Sequence, residues 1–364
     1  MHRRSFGLAA VSASLLAFLL PAPAGADGLR ISGPVIHENL AIYFVHGPSA
    51  AGPVPLTLQE AMAKGTVTVH ETGQVNELTI QNLGNEEVFV QSGDIVKGGR
   101  QDRVLMVSLL LPPRSGVIPI ASFCVEHGRW TARGGEDSNT FSASNNAVPS
   151  QAARLAMAAP PRAPASQPPQ PYPRGDDMIS STVPRILRDP GRIGERQGKV
   201  WDSVASVQAK LTRTLAVSVA APQSATSLQL SLENEKLKAA QAAFVAALQP
   251  SGEKDGDIVG YIFAVNGKLE SADIYPSNAM FRKMWAKLLN ANVTEAIAEK
   301  DAKAGAPPAV DAVQAFLDAA QKGAATERVL NAGAQLETRD SDGAIYSETR
   351  RVAGEWVHRN YLAK

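Results

Sequence analysis

The chain has 364 residues, 44% of them apolar and 5% aromatic, which is enough for one or two domains with a packed core and rules out wholesale disorder. Lys and Arg together number 36 against 35 for Asp and Glu, so no strong overall field draws the chain to nucleic acid or to an anionic membrane. The single cysteine, Cys124, excludes an intramolecular disulfide framework and any zinc site built from several thiolates.

The first 26 residues have the three zones of an export signal: Arg3 and Arg4, an apolar run from Phe6 to Leu20, and the small-x-small pattern Ala24-Gly25-Ala26. Cleavage after Ala26 removes two arginines and no acid, so the mature charge becomes 34 − 35 = −1. Arg3-Arg4-Ser5-Phe6 also resembles a twin-arginine signal. The apolar run is too short for a permanent span, and no later stretch reaches the ~20 apolar residues that spanning needs. The expectation is a periplasmic or secreted protein without stable membrane insertion.

Residues 27–130 read as a β-rich half. Thr57 caps a short helix with Leu58, Ala61 and Met62 on its apolar side, and Gly65 ends it. Alternation predicts strands at Thr66 to His70 and at Glu77 to Gln81. Gly84-Asn85 then predicts a hairpin between the latter and Glu87 to Gln91. The apolar runs Val104 to Leu111 and Val117 to Cys124, divided by Pro112-Pro113 and Gly116, read as central strands buried on both faces.

Residues 131–190 read as a disordered, low-complexity insertion. Thr131 to Ser150 is dominated by Ser, Asn, Gly and charge, and seven of the 14 residues from Pro160 to Pro173 are proline. Residues 191–364 form a helix and hairpin half expected to share a core with 27–130. Val200, Trp201, Val204, Val207 and Leu211 mark one helix, and Leu237, Ala240, Phe244 and Leu248 mark another that Pro250-Ser251-Gly252 should end. A hairpin is centred on Asn266-Gly267. Ser277 caps the next helix, whose Phe281, Met284, Trp285 and Leu288 face inward while Arg282, Lys283 and Lys287 face water. A further helix starts near Pro308, and strands flank Ser341-Asp342-Gly343 and close the chain at Trp356 to Leu362. The fold class is α+β: an antiparallel β-rich N-terminal half, then helices and hairpins, with a disordered Pro-rich insertion.

Two segments are candidates for chemistry. In Gly98-Gly99-Arg100-Gln101-Asp102-Arg103, glycines release the backbone and two guanidinium groups stand three residues apart, a pattern suited to holding an anion by main-chain N–H groups and arginine forks. The spacing fits neither a Walker A loop nor a dinucleotide fingerprint. Cys124-Val125-Glu126-His127-Gly128-Arg129-Trp130 ends the last long apolar strand, with a thiol that is either a nucleophile or an inert core group, and Glu126 and Arg129 either functional or a structural ion pair covered by Trp130. His37, His46, His70, His127 and His358 are scattered without a metal-ligand spacing, so no metal is expected. Trp201 and Trp285 lie on apolar helix faces and read as core.

Gly98 to Arg103, Pro112-Pro113, Cys124-Val125-Glu126 with Gly128-Arg129-Trp130, Val200-Trp201 with Val204-Ala205, and Gly260 to Gly267 followed by Phe281 to Leu289 together resemble the ADP-ribosylglycohydrolase- and rhodanese-phosphatase-superfamily-associated domain. The resemblance covers most of Leu29 to Leu289 outside the Pro-rich stretch. It implies a link to ADP-ribose or phosphate ligands and no defined reaction. An exported chain would stand apart from cytoplasmic ADP-ribosylated substrates, so that link is set aside.

Two functions follow as expectations. The first is a non-enzymatic binding or scaffold module that recognises an anionic small molecule or an envelope protein through Gly98, Gly99, Arg100, Arg103, Arg129 and Trp130. The alternative is a hydrolase or transferase acting on an ADP-ribose-like, nucleotide or phosphorylated substrate, with Glu126 or Asp102 as general base and Cys124 as a further candidate. No cofactor is implied, and the oligomeric state is open.

Overall fold

A computed structural model describes residues 28–158, 190–300, 305–331 and 333–364. The N-terminal part runs β1 (Arg30–His37), β2 (Leu40–His46), β3 (Leu56–Thr57), α1 (Leu58–Ala63), β4 (Val67–Glu71), β5 (Glu77–Asn82), β6 (Val88–Val90), β7 (Asp94–Gly98), β8 (Arg103–Leu105), β9 (Leu109–Leu111), β10 (Gly116–Cys124), β11 (Phe141–Ala147) and α2 (Gln151–Ala158). The C-terminal part runs α3 (Pro190–Leu215), α4 (Leu228–Leu232), α5 (Glu235–Glu253), β12 (Ile258–Val265), β13 (Lys268–Ile274), α6 (Asn278–Ala298), α7 (Val310–Ala320), β14 (Ala324–Asn331), β15 (Ala334–Asp340), β16 (Ala344–Arg351) and β17 (Trp356–Ala363). The fold is mixed α+β with an antiparallel β-rich N-terminal half.

An eight-stranded antiparallel sheet takes strands from both ends of the chain in the order β1-β2-β12-β13-β17-β16-β15-β14. In β2, Ala41, Tyr43 and Val45 turn to one face, where Val313 and Leu317 of α7 cover them. Leu40, Ile42 and Phe44 turn to the other, where they meet the larger core containing Phe244, Phe281 and Trp285 of α5 and α6. Both faces are covered, which is why β2 has no polar alternation.

A six-stranded sheet, β11-β7-β8-β10-β5-β4, curls until its edges meet: His70 bridges Thr140, and the Glu71 amide donates to the Asn139 carbonyl at 2.9 Å. A three-stranded sheet, β3-β6-β9, lies beside it, with β3 parallel to β6. Leu78 and Phe123 of the curled sheet belong to the same apolar cluster as Phe244 and Trp285, so the two halves share a core.

Local signals read from sequence are met where local chemistry suffices. Thr57 and Glu60 form a reciprocal capping box on α1. Asn266 and Gly267 both have positive φ, 53° and 79°, as the tight β12–β13 turn requires. Ser277 Oγ accepts from the Met280 amide at the start of α6.

Six expectations need correction. Residues 131–190 are not uniformly insertion: β11 pairs with β7, and Ala153, Ala156 and Met157 of α2 are buried, because the small residues there pack tightly against neighbouring elements. The remainder of that stretch, 159–189, lies outside the described residues. The Gly84-Asn85 hairpin does not form; β5 pairs with β4 and β10, while β6 pairs with β3 and β9. Val104 to Leu111 is two strands in different sheets, parted where the Ser108 hydroxyl accepts from the Ser92 amide and the chain turns. Val117, at 64% exposed, breaks the two-faced burial expected of β10. Finally, α5 runs through Pro250 to Glu253, and Lys287 is not in water but paired with buried Asp94.

Candidate functional site

The two motif segments converge at one end of the curled sheet, where the β7–β8 connection meets the chain leaving β10. Gly98 and Gly99 have φ of 113° and 56°, and a Cβ on Gly99 would lie 2.3 Å from the Phe141 ring. Only glycine permits this turn beneath β11. Its amides are used internally: Gly98 donates to Asp102 Oδ1 at 3.0 Å, Gly99 to the Asp137 and Thr140 carbonyls, and Arg100 to Glu71 Oε2 at 3.4 Å.

The ionic groups form a neutral cluster in which Arg100, Arg103, Arg129 and Arg133 accompany Glu71, Asp102, Glu126 and Glu136. Arg129 grips Glu126 through two parallel bonds of 2.7 Å, and Arg133 grips Asp102 at 2.8 and 3.1 Å and reaches Glu136 at 2.8 Å. Arg103 pairs with Glu71 at 3.3 Å and donates to the Gln101 carbonyl at 2.7 Å. Ser227 caps α4 and donates to Asp102 Oδ2 at 2.9 Å, so the cluster also fixes that helix. Asp102, Arg103 and Glu126 are fully buried. Charges desolvated to that degree persist only when paired in this way.

Burial alone would raise the Glu126 carboxyl, but hydrogen bonds from Arg129 and Ser224, the Arg129 charge and the Asp102 amide outweigh it and hold the group below the ordinary carboxylate range. A carboxylate so stabilised is a weak proton acceptor. The Asp102 and Glu136 carboxylates overcome the desolvation of Arg133 and raise its pKa. Burial pushes the Cys124 thiol up to about 11. Gln197 clamps the Cys124 main chain from both sides at 2.9 Å, which fits the inert reading of that cysteine.

The sequence-derived candidates therefore come together but divide by depth. Gly98, Gly99, Asp102, Arg103, Cys124 and Glu126 are interior, and Arg129 is 10% exposed at its side chain. Trp130 is 38% exposed, and the Arg100 and Arg103 guanidinium carbons each lie 5.5 Å from its ring centroid. The Arg100 amide bonds Glu71, but its guanidinium makes no ion pair among the described residues and lies over Trp130. Sequence reasoning did not find Glu71, Arg133, Glu136 or Ser227. Each stands far along the chain or inside the stretch read as low complexity, and no local spacing marks them. Trp201 is half-buried and packs edge-on against His127, with centroids 4.5 Å apart. No group of metal-ligating side chains is found among the described residues, and no helix among them is long and apolar enough to cross a membrane.

The architecture is thus an α+β domain in which a neutral arginine–carboxylate cluster closes one end of a curled sheet beneath a half-exposed tryptophan. The chain belongs to the ARG and Rhodanese-Phosphatase-superfamily-associated Protein domain family, whose profile matches residues 28–362 and so extends through the closing strands as well. No curated protein and no solved structure matches the chain.

Proposed function

We propose that the protein is an exported binding or scaffold module that recognises an anionic small molecule or an anionic envelope protein at the Arg100–Trp130 rim. The observation that carries this reading is the unequal pairing of the arginines. Arg103, Arg129 and Arg133 are neutralised by carboxylates, whereas the Arg100 guanidinium lies over exposed Trp130 without an ion pair among the described residues. A guanidinium against an indole presents a cation and an apolar plane together, which suits an anion attached to a flat or apolar group. The interior pairs then serve to hold the rim in shape. Export is supported by the arginine pair, apolar run and Ala24-Gly25-Ala26 pattern within residues 1–26.

Thermal shift across phosphate, ADP-ribose, nucleotides and acidic sugars tests the rim. A ligand at a hundredfold excess over its Kd should stabilise the native state by about 2.7 kcal/mol. Arg100→Ala should remove that shift while moving the unliganded stability by less than about 0.5 kcal/mol. Absence of any shift in the wild type would refute the rim as a small-anion site. Turnover of a bound ligand that is lost in Glu126→Gln would favour the hydrolase alternative. For localisation, mature protein from the exported fraction should begin at Asp27, and an intact Met1 on cell-associated protein would overturn export.

A further inference from the structure

On the large sheet, three residues from separate segments meet in an arrangement that the proposed binding function does not use. Among the described residues β1 is an edge strand, paired with β2 alone. In that ladder Arg30 stands opposite His46, and Ser32 opposite Phe44, so Ser32 and His46 are diagonal neighbours on the same side of the pleat. On the other side of β2, Ile258 is opposite His46, which places Asp257 next to the imidazole.

Ser32 Oγ lies 2.7 Å from His46 Nε2, and His46 Nδ1 lies 2.8 Å from Asp257 Oδ1. An ionised carboxylate only accepts, so Nδ1 must donate to Asp257, and in the neutral imidazole Nε2 is the nitrogen left to accept the Ser32 hydroxyl proton. Arg30 Nη2, 3.7 Å from Asp257 Oδ2, and the Gly47 amide, which donates to the Asp257 carbonyl at 2.9 Å, steady the orienting residue. The hydrogen bond from His46 holds the Asp257 carboxyl below its ordinary range.

The His46 ring is almost enclosed, with 7% of its side chain exposed, but Asp257 is 54% exposed and Ser32 is only half-buried. Water could satisfy both of the latter, so their alignment on the two nitrogens is not compelled by burial. The ladder register skips from Ser32 to Val35, leaving Gly33 and Pro34 unmatched, and Gly33 adopts a φ of 110° that side-chain-bearing residues avoid. Proline has no N–H, so of the two unmatched residues only Gly33 carries a main-chain donor beside Ser32.

We propose that Ser32, His46 and Asp257 form a serine-nucleophile site that hydrolyses small carboxylic esters, with the Gly33 N–H as a donor to the developing oxyanion. Ser32 Oγ attacks the ester carbonyl carbon as its proton passes to His46 Nε2. The tetrahedral adduct then expels the alcohol, which takes that proton, and leaves acyl-Ser32. Water attacks the acyl carbon, gives its proton to His46, and releases the carboxylic acid as the proton returns to Ser32 Oγ. An open edge-strand site supplies little binding energy for distorting a stable amide, so the substrate class is an ester with a good leaving group.

The test is active-site labelling of the folded full chain with a fluorophosphonate, which transfers its phosphonyl group to an activated serine with loss of fluoride, followed by peptide mass spectrometry. The label should fall on Ser32, and p-nitrophenyl acetate should be hydrolysed through acetyl-Ser32. Ser32→Ala should abolish both. His46→Gln and Asp257→Asn should slow both by at least about 100-fold. An unlabelled Ser32 in protein with a normal melting transition overturns the proposal, as does labelling of Ser32 at an unchanged rate in Asp257→Asn, a partly exposed substitution that leaves the core intact. Mapping the label on wild-type protein decides the matter even if His46→Gln does not fold.

Discussion

Two charge networks in this molecule are buried to a similar depth yet serve different ends. At the end of the curled sheet, Glu126, Asp102 and their arginines are linked outward through Arg129 to a rim containing Trp130. In the seam between the halves, Asp273 of β13 receives His358 at 2.8 Å, Tyr261 at 2.5 Å and Gln91 at 3.3 Å from buried side chains, and half-buried Asn360 at 2.9 Å. Tyr275 stacks on His358 and donates to Gln91, and Lys287 of α6 pairs with Asp94. The first network uses arginine forks to fix loops. The second uses neutral donors, one imidazole and the Lys287–Asp94 pair to tie the β6–β7 connection to the large sheet and α6. Burial of charge is common to both networks; a route from the buried group to the surface is what differs.

The largest expected effect lies in the seam. Asp273→Ala should destabilise the fold by about 3–5 kcal/mol, because it leaves His358 and three polar partners without their acceptor in a fully enclosed place. Chemical denaturation measures it, and a loss below about 1 kcal/mol would erase the distinction between the two regions. Burial would raise the Asp273 carboxyl, but His358, Tyr261 and Asn360 overcome it and hold the pKa low. The folded-state pKa is thus below the unfolded value of about 3.9. The stabilisation from this group is complete above that value and is lost as pH falls through the folded pKa. Melting temperature should therefore decline in acid, and less steeply in Asp273→Asn.

A smaller loss is expected for Arg129→Ala, about 1–3 kcal/mol. It strips Glu126 of its fork, but Arg133 remains 3.9 Å away and compensates part of the charge. Its melting transition should also show whether α4 is loosened, since Arg133 and Ser227 share Asp102. The smallest effect is that of Arg100→Ala, which should alter ligand response and hardly touch stability. If Arg100→Ala were instead as costly as Arg129→Ala, the rim would be part of the scaffold and the comparison would collapse.

What the sequence determined by itself is what short-range chemistry controls. The Thr57 cap, the Asn266-Gly267 turn, the Ser277 cap and the inward face of α6 at Phe281, Met284, Trp285 and Leu288 need only a few neighbouring residues and a fixed period. The two halves of the candidate site could also be read, since Gly98-Gly99 and Cys124 to Trp130 are compact motifs. Their partners could not. Which carboxylate neutralises Arg103 or Arg129, and which strand lies beside β5, depend on contacts between distant segments that local propensity does not encode. The same holds for Phe141 to Ala147, whose Ser- and Asn-rich sequence looks unstructured until β7 supplies the ladder. Helical period alone turns Lys287 to water, and the arrival of Asp94 from the β6–β7 connection draws it inside. The closure of Ser32, His46 and Asp257 is of this kind too: strand register across β1, β2 and β12 brings them together, because hydrogen-bonded ladders fix which distant residues stand side by side.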